Sequence, residues 1–240
     1  MIINIWSTPR TGSTWFTLSK VKELEQNHKV TYFTQYLNYV RLINYIHPNH
    51  KDFVYSYVPG CRYIDFQYDH LRKNIVEVIK TEKRKRSHVE EEDYRIALLE
   101  RLDKNRCLVF HHHIQPMSEK AYNYLINKSD TNYYIYRENF IEQLSSYALS
   151  YALQKFHGVN NRISNNVEVD YKTLEYLTER VISWHKLDKS NGIIIKYEDI
   201  NFGSDKSLPK KQNKNAFEQL SESTQKSILF LNDYLTKSIA

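Results

Sequence analysis

Cysteine is scarce in this sequence: among 240 residues there are only Cys61 and Cys107. No CxxC pair occurs, which leaves a zinc ribbon or a dithiol redox motif unsupported, and isolated cysteines are typical of buried or free thiols in a reducing compartment. Long apolar runs are also missing, since no stretch approaches the roughly 18–20 apolar residues that span a bilayer. The first residues, MIINIWSTPR, lack the basic and long apolar segments of a secretory signal. We therefore expect a cytoplasmic protein without a membrane span.

The chain does have a positive charge balance and enough apolar residues for one substantial core. Its net charge is +6 and 41% of its residues are hydrophobic. This length and composition favour a single domain over residues 1–240. A basic balance suits a polyanionic partner, such as nucleic acid, an acidic membrane surface or a small ligand with several phosphates. Lys-rich surfaces are equally common without such a partner, so charge alone assigns no function.

Short apolar runs alternate along the chain with segments of helical periodicity. The runs predict strands at residues 1–7, 29–34, 106–110, 132–136 and 193–195. The periodic segments predict helices from residue 15 onward and at residues 36–46, 121–126, 139–151 and 171–187, with another helical region at the C-terminus. Strands that are continuously apolar and separated by helices are typical of parallel sheets covered on both faces. The predicted fold class is therefore α/β, a three-layer sandwich with a central parallel sheet.

The loop after the first strand has the composition of an anion site. It reads Thr8-Pro9-Arg10-Thr11-Gly12-Ser13-Thr14 and leads directly into a helix. A helix N-terminus presents backbone N–H groups and partial positive charge, a glycine allows close approach of the backbone, and an arginine adds a cation that forms paired hydrogen bonds. The GxxxxGK[ST] spacing of a Walker A loop is absent. An ordinary strand–helix turn is the alternative interpretation.

A second candidate group follows the strand at residues 132–136. Arg137 comes at the carboxyl end of that strand, where open α/β sheets bind ligands, and Ser145 lies eight residues on, in the following helix. Asn139 and Glu142 have the spacing of a helix N-cap with a capping box. Arg137 and Ser145 together suit one phosphate, although a surface ion pair and a solvated serine would explain them separately.

Three segments in order resemble the sulfotransferases that use 3′-phosphoadenosine 5′-phosphosulfate. PRTGSTW resembles their 5′-phosphosulfate loop, commonly PKSGTTW; YYIYRENFIEQLSSY resembles their 3′-phosphate motif; and KYEDI, residues 196–200, resembles a later YEDL element. The resemblance extends from residue 1 to about residue 200. It implies a P-loop NTPase-like fold and transfer of a sulfuryl group from that donor to an acceptor hydroxyl, without a metal ion.

The resemblance also implies roles for individual residues. Arg10 replaces the usual lysine that contacts the bridging and 5′-phosphate oxygens, and it would stabilise the leaving group. The other positions implied to bind the donor comprise the rest of the phosphate loop, an aromatic residue that stacks on adenine, the 3′-phosphate pair and a residue near the adenine. These positions are Thr11, Gly12, Ser13, Thr14, Trp15, Arg137, Ser145 and Tyr197.

Three consecutive histidines follow the strand at residues 106–110. The family places a general base here, in a pattern like KTHLP, and laying His111-His112-His113-Ile114 over it makes His113 the base. His111 then departs from the family lysine. A metal site is one alternative, but neighbours on an extended chain point to opposite faces, so three consecutive histidines do not easily share one ion. A purely structural cluster is the other alternative.

The C-terminal part departs from the family. Its glycine-rich phosphate motif is not evident, and the nearest candidates are Lys210 and Lys211 in the Lys-rich loop at residues 206–214. The expected acceptor is a small molecule or carbohydrate with a hydroxyl, bound by the aromatic segment 51–68 and the loop 156–169. A P-loop-like small-molecule kinase and a non-enzymatic nucleic-acid-binding protein are the rival functions. The missing Walker A lysine argues against the kinase, and the acidic run after the basic residues 83–86 argues against nucleic acid.

Overall fold

A computed structural model describes residues 1–28, 30–34, 93, 96–97, 99–100, 107–113, 119–152, 166–201 and 215–239. The helix predicted at residues 36–46, the aromatic segment 51–68 and the Lys-rich loop at 206–214, with Lys210 and Lys211, lie outside these residues. So does most of the loop predicted at 156–169.

The described residues form both strands and helices. The strands are β1 Ile2–Ser7, β2 Val30–Thr34, β3 Cys107–His113, β4 Thr131–Tyr136 and β5 Ile193–Lys196. The helices are α1 Ser13–Glu25, α2 Glu119–Lys128, α3 Phe140–Ala152, α4 Tyr171–His185 and α5 Glu222–Ile239. Two short 3₁₀ turns cover Tyr197–Asp199 and Phe217–Gln219.

The strands form one parallel sheet in the order β2-β3-β1-β4-β5. Strand β2 pairs with β3 from Val30 opposite Cys107 to Thr34 opposite His111. Helices flank the sheet, so the predicted fold class, α/β with a central parallel sheet, is confirmed. Two details of the prediction are wrong. Strand β3 extends through all three histidines instead of ending at Phe110.

The second error concerns β5, which we predicted to be buried. Ile193 is 52% exposed and Ile194 is 56% exposed. Among the strands that the structure describes, β5 stands at the end of the sheet order, where fewer neighbours cover a strand. A continuous apolar run does not distinguish an edge strand from a central one.

One compact unit of the chain comprises Met1–Trp6 and Ser19–Tyr133. Its core contains a polar network in which Asn4 Nδ2 donates to Leu125 O at 3.1 Å and Trp6 Nε1 donates to Asn132 Oδ1 at 3.0 Å. Buried polar groups need such partners. Cys107 is a buried free thiol, and burial raises its pKa. The buried free thiol of Cys107 agrees with the expectation, from the isolated cysteines, of a buried or free thiol.

The second compact unit comprises Ser7–Leu18 and Tyr134–Ala240. Helices α3, α4 and α5 share a buried apolar cluster: Leu144, Ala148, Leu149, Val167, Val169, Leu174, Leu177, Ala216, Leu220, Ile228 and Leu231. Asp170 caps α4 by accepting from Thr173 N at 2.9 Å. Because the chain divides into two compact units, the single domain expected over residues 1–240 stays a prediction. Within the described ranges, none of the helices is long and apolar enough to cross a membrane.

Candidate anion-binding site

The loop between β1 and α1 has an unusual backbone. Arg10 and Gly12 both have a φ of 66°, whereas Thr11 between them does not have positive φ. Alternation of handedness along a loop turns successive N–H groups toward one concave surface, which is the geometry of anion-binding nests. The left-handed region suits Gly12, but it costs about 1–2 kcal/mol for a residue with a Cβ atom. Arg10 is therefore held in an unfavourable conformation.

Other contacts fix this loop at the start of α1. The Thr11 hydroxyl donates to Thr8 O at 2.9 Å, and Phe16 N donates to Gly12 O at 3.1 Å as the helix begins. The first N–H groups of a helix have no acceptor within it, so those at the start of α1 suit an anion. Thr11 and Ser13 are buried, whereas Thr14 and Trp15 are partly exposed.

Helix α3 holds the same loop from its side. Gln143 Nε2 donates to Thr8 Oγ1 at 2.7 Å and to Pro9 O at 2.9 Å. One turn further along α3, Ser146 Oγ accepts a hydrogen bond from Arg10 Nε at 3.0 Å. Gln143 and Ser146 are not among the residues that the sequence motifs predict for the site. The available signal was their spacing of three residues, which places both on one face of a helix.

Arg137 is almost completely buried, with 7% of its surface exposed. Its Nη2 atom forms an ion pair with Glu142 Oε2, and its Nε atom lies 3.9 Å from Glu198 Oε1. That distance is too long for a hydrogen bond, and Nε has no hydrogen-bond partner among the described residues. The guanidinium also stacks on Tyr197, with Cζ 4.4 Å from the ring centre.

The charges of this region favour a bound anion. Burial lowers the pKa of Arg10, and the positive charge of Arg137 lowers it further. Two positive charges repel each other strongly where water is partly excluded, and an anion bound between them stabilises both. Burial likewise raises the pKa of Tyr197, so this ring is a neutral surface for the Arg137 guanidinium. Arg10 and Arg137, predicted from separate motifs, therefore lie close enough for their charges to interact.

The N-terminus of α3 differs from the predicted capping box. Asn139 Oδ1 accepts from Glu142 N at 3.0 Å, so the N-cap is confirmed. The Glu142 side chain does not return to Asn139 N, because it pairs with Arg137. Glu198 takes that place: its carboxylate accepts from Glu138 N and from Asn139 N, both at 3.2 Å. The capping-box prediction is wrong because a buried cation competes for the same carboxylate.

Ser145 lies close in sequence to these groups but faces elsewhere. Its hydroxyl donates to Ile141 O, one turn back along α3, at 2.5 Å. The described contacts therefore join Arg10 to Ser146 and do not join Arg137 to Ser145. Binding of a 3′-phosphate by Ser145 stays a prediction, since it requires the hydroxyl to leave Ile141.

The three histidines lie in the first compact unit and alternate along β3. His112 stacks on Trp6, with ring centres 4.7 Å apart, whereas the rings of His111 and His113 meet edge to face at 5.1 Å. Burial, followed by the charge of His111, holds the pKa of His112 well below its usual value. His112 is thus a neutral core residue, and His113 is only partly buried. No group of three metal-binding side chains occurs in the part of the chain that the structure describes.

Comparison with known proteins identifies no family for this chain. No family model and no curated protein matches the sequence. Among solved structures, a GTPase in apo form from Pyrococcus abyssi matches with a TM-score of 0.34 and 15% sequence identity, over 99% of this chain and 97% of that one. The observations made on the chain itself define an α/β protein with a candidate anion site at the loop before α1.

Proposed function

We propose that this chain is a sulfotransferase that transfers a sulfuryl group from 3′-phosphoadenosine 5′-phosphosulfate to an acceptor hydroxyl. The observation that carries the proposal is that helix α3 contacts both cations. Ser146 accepts from Arg10 Nε at the loop of alternating handedness, and Glu142 pairs with the buried Arg137. The donor has anionic groups at both the 5′ and the 3′ position. A site with two separate cations from two motifs suits such a ligand better than it suits a single phosphate.

In this proposal different residues bind the two anionic ends of the donor. Arg10, the loop amides and the start of α1 would bind the 5′-phosphosulfate, and Arg137 would bind the 3′-phosphate. In the reaction the acceptor oxygen bonds to sulfur, the bond from sulfur to the bridging oxygen breaks, and negative charge develops on the departing 5′-phosphate. Arg10 and the fixed amides would stabilise that charge without rearrangement, which is the most effective form of electrostatic catalysis.

The acceptor proton needs a base, and the family resemblance assigns this role to His113. The histidine belongs to the other compact unit, so the proposal for it rests on sequence position and on its partial exposure. A neutral imidazole can accept the hydroxyl proton as the oxygen attacks. Within β3, His112 is a poor candidate, because it is fully buried against Trp6.

The proposal is tested by calorimetric titration with three nucleotides. Because Arg137 is assigned to the 3′-phosphate, 3′-phosphoadenosine 5′-phosphate should bind at least about tenfold more tightly than adenosine 5′-phosphate, a difference of about 1.4 kcal/mol. ATP with magnesium serves as the third ligand. Equal affinity for the first two nucleotides, or tightest binding of ATP that requires magnesium, would contradict the sulfotransferase assignment and favour the kinase.

Substitution of Arg137 identifies the group responsible. Arg137→Ala should weaken binding of 3′-phosphoadenosine 5′-phosphate by about 1.5–3 kcal/mol, since a hydrogen bond to a charged group is lost. The loss should be much smaller for adenosine 5′-phosphate. Arg137→Lys is the matched control, because it keeps the charge and removes the paired donors. An equal loss with both nucleotides would show that Arg137 maintains the structure instead.

A further inference from the structure

Two carboxylates surround Arg137, and they are held very differently. Glu198 accepts hydrogen bonds from two backbone N–H groups before α3, so it is part of the helix cap. Glu142 lies in the first turn of α3 with 59% of its side chain exposed. Within the described ranges its carboxylate makes one ion pair, with Arg137. Glu142 can therefore move away by side-chain rotation alone, whereas Glu198 cannot leave without exposing the start of the helix.

Glu142 occupies the edge of Arg137 that an anion would use. The Nε and Nη2 atoms of a guanidinium carry parallel N–H bonds, and this pair binds carboxylates and phosphates through two hydrogen bonds. In the structure Nη2 contacts Glu142, and Nε faces Glu198 without a hydrogen bond. Nη2 is thus occupied by a side chain of the same helix, and Nε remains available.

We propose that Glu142 is an internal competitor for the anion that Arg137 binds, and therefore a residue that sets the affinity at this position; the inference rests on the proposed function. Binding requires the ligand to replace the Glu142 carboxylate at Nη2. A phosphate monoester, with a charge of about −1.5 to −2 and three acceptor oxygens, has an advantage over a monoanion in this exchange. The Glu142 carboxylate lowers the affinity of every anion at Arg137 by the same factor, so only a strongly bound anion such as a terminal phosphate occupies Arg137 at low concentration.

The experiment measures two affinities in three proteins: wild type, Glu142→Gln and Glu138→Gln. The ligands are 3′-phosphoadenosine 5′-phosphate and adenosine 5′-phosphate. Glu138→Gln is the matched control, because it removes the same charge from the same segment, but from a carboxylate that pairs with Lys196. Glu142→Asp, which shortens the side chain by one carbon, is a second variant, and circular dichroism verifies the fold of each.

We expect a large gain in affinity only for Glu142→Gln and only with 3′-phosphoadenosine 5′-phosphate. Glu142→Gln should bind 3′-phosphoadenosine 5′-phosphate about three- to tenfold more tightly than wild type, a difference of about 0.7–1.4 kcal/mol. Its affinity for adenosine 5′-phosphate should change less than about twofold, and Glu142→Asp should lie between. A gain of equal size in Glu138→Gln would overturn the proposal, since it would reflect net charge only. So would unchanged or weaker binding by Glu142→Gln.

The same data separate this inference from the proposed function. If wild type prefers the 3′-phosphate and Glu142→Gln does not increase that preference, the donor assignment stands and the competitor role fails. If wild type shows no preference but Glu142→Gln acquires one, Glu142 does compete and the donor assignment fails. If neither protein distinguishes the two nucleotides, both are overturned.

Discussion

The left-handed conformation of Arg10 predicts that the residue reduces the stability of the free protein. Its φ of 66° is one that glycine adopts without cost. We therefore compare Arg10→Gly with Arg10→Ala. Both changes remove the charge that lies unfavourably near Arg137, and both remove the hydrogen bond to Ser146. The difference between them isolates the backbone.

The magnitude follows from two opposing terms. A residue with a Cβ atom loses about 1–2 kcal/mol in the left-handed region. Glycine costs about 0.5–1 kcal/mol through the greater freedom of its unfolded chain. The midpoints of these two ranges differ by about 0.75 kcal/mol, so the Arg10→Gly protein should be more stable than the Arg10→Ala protein by about that amount. For a chain of this size that corresponds to a melting temperature about 1.5–3 °C higher.

Thermal unfolding with and without 3′-phosphoadenosine 5′-phosphate connects this strain to binding. At a ligand concentration of about 100 times the wild-type Kd, the wild type should gain about 2.7 kcal/mol. Loss of a charge-assisted contact worth about 2 kcal/mol raises Kd roughly thirtyfold and leaves a gain of about 0.9 kcal/mol in both variants. Equal melting temperatures for the two variants would refute the strain argument. A full ligand shift in both would show that Arg10 does not contact the nucleotide.

Three further predictions concern groups around the site and in the core. His113→Ala should lower turnover by a factor of about 10²–10⁴ while donor affinity changes little, and normal turnover in this variant would exclude His113 as the base. His112→Ala should mainly lower the melting temperature. Ser146→Ala should weaken nucleotide binding about two- to tenfold by releasing Arg10, which corresponds to about 0.5–1.5 kcal/mol. A larger loss of binding in Ser145→Ala would instead favour the 3′-phosphate role of that serine. Burial, followed by the charge of Lys189, lowers the pKa of His185 to about 4. Between that pH and the usual histidine pKa, the unfolded chain therefore binds a proton at His185 that the folded state does not bind. The free energy of unfolding should then fall as pH decreases from about 6.5 to about 4, and His185→Leu should reduce that slope in pH-dependent urea denaturation.

Elements with a strong local pattern could be predicted from the sequence. The stripe along α4 defined a helix, and Asp170 accepts from Thr173 N at its start as a cap should. The apolar runs of β1 and β4 defined strands of a parallel sheet, since central strands are covered on both faces. The composition of the loop from Thr8 to Thr14 predicts an anion site, because glycine, hydroxyl groups and arginine have local chemical meaning, and that site stays a prediction.

Partnerships between distant segments could not be predicted in the same way. The link from Gln143 to Thr8 joins residues 135 positions apart. The choice of Glu142 between Asn139 N and Arg137 depends on how deeply the guanidinium is buried. Even the identity of the serine beside Arg10 depended on helix rotation, since adjacent serines differ by about 100° around the axis.

The exposed edge strand has a consequence for the protein in concentrated solution. Among the described strands, β5 stands at the end of the sheet order and exposes Ile193 and Ile194. A terminal strand can pair with a strand from another molecule. Lys196 ends the strand and forms an ion pair with Glu138. A charge beside an apolar strand discourages intermolecular pairing, as gatekeeper residues do in other sheets. Substitution of Lys196 by an apolar residue would thus favour aggregation even where nucleotide binding is intact.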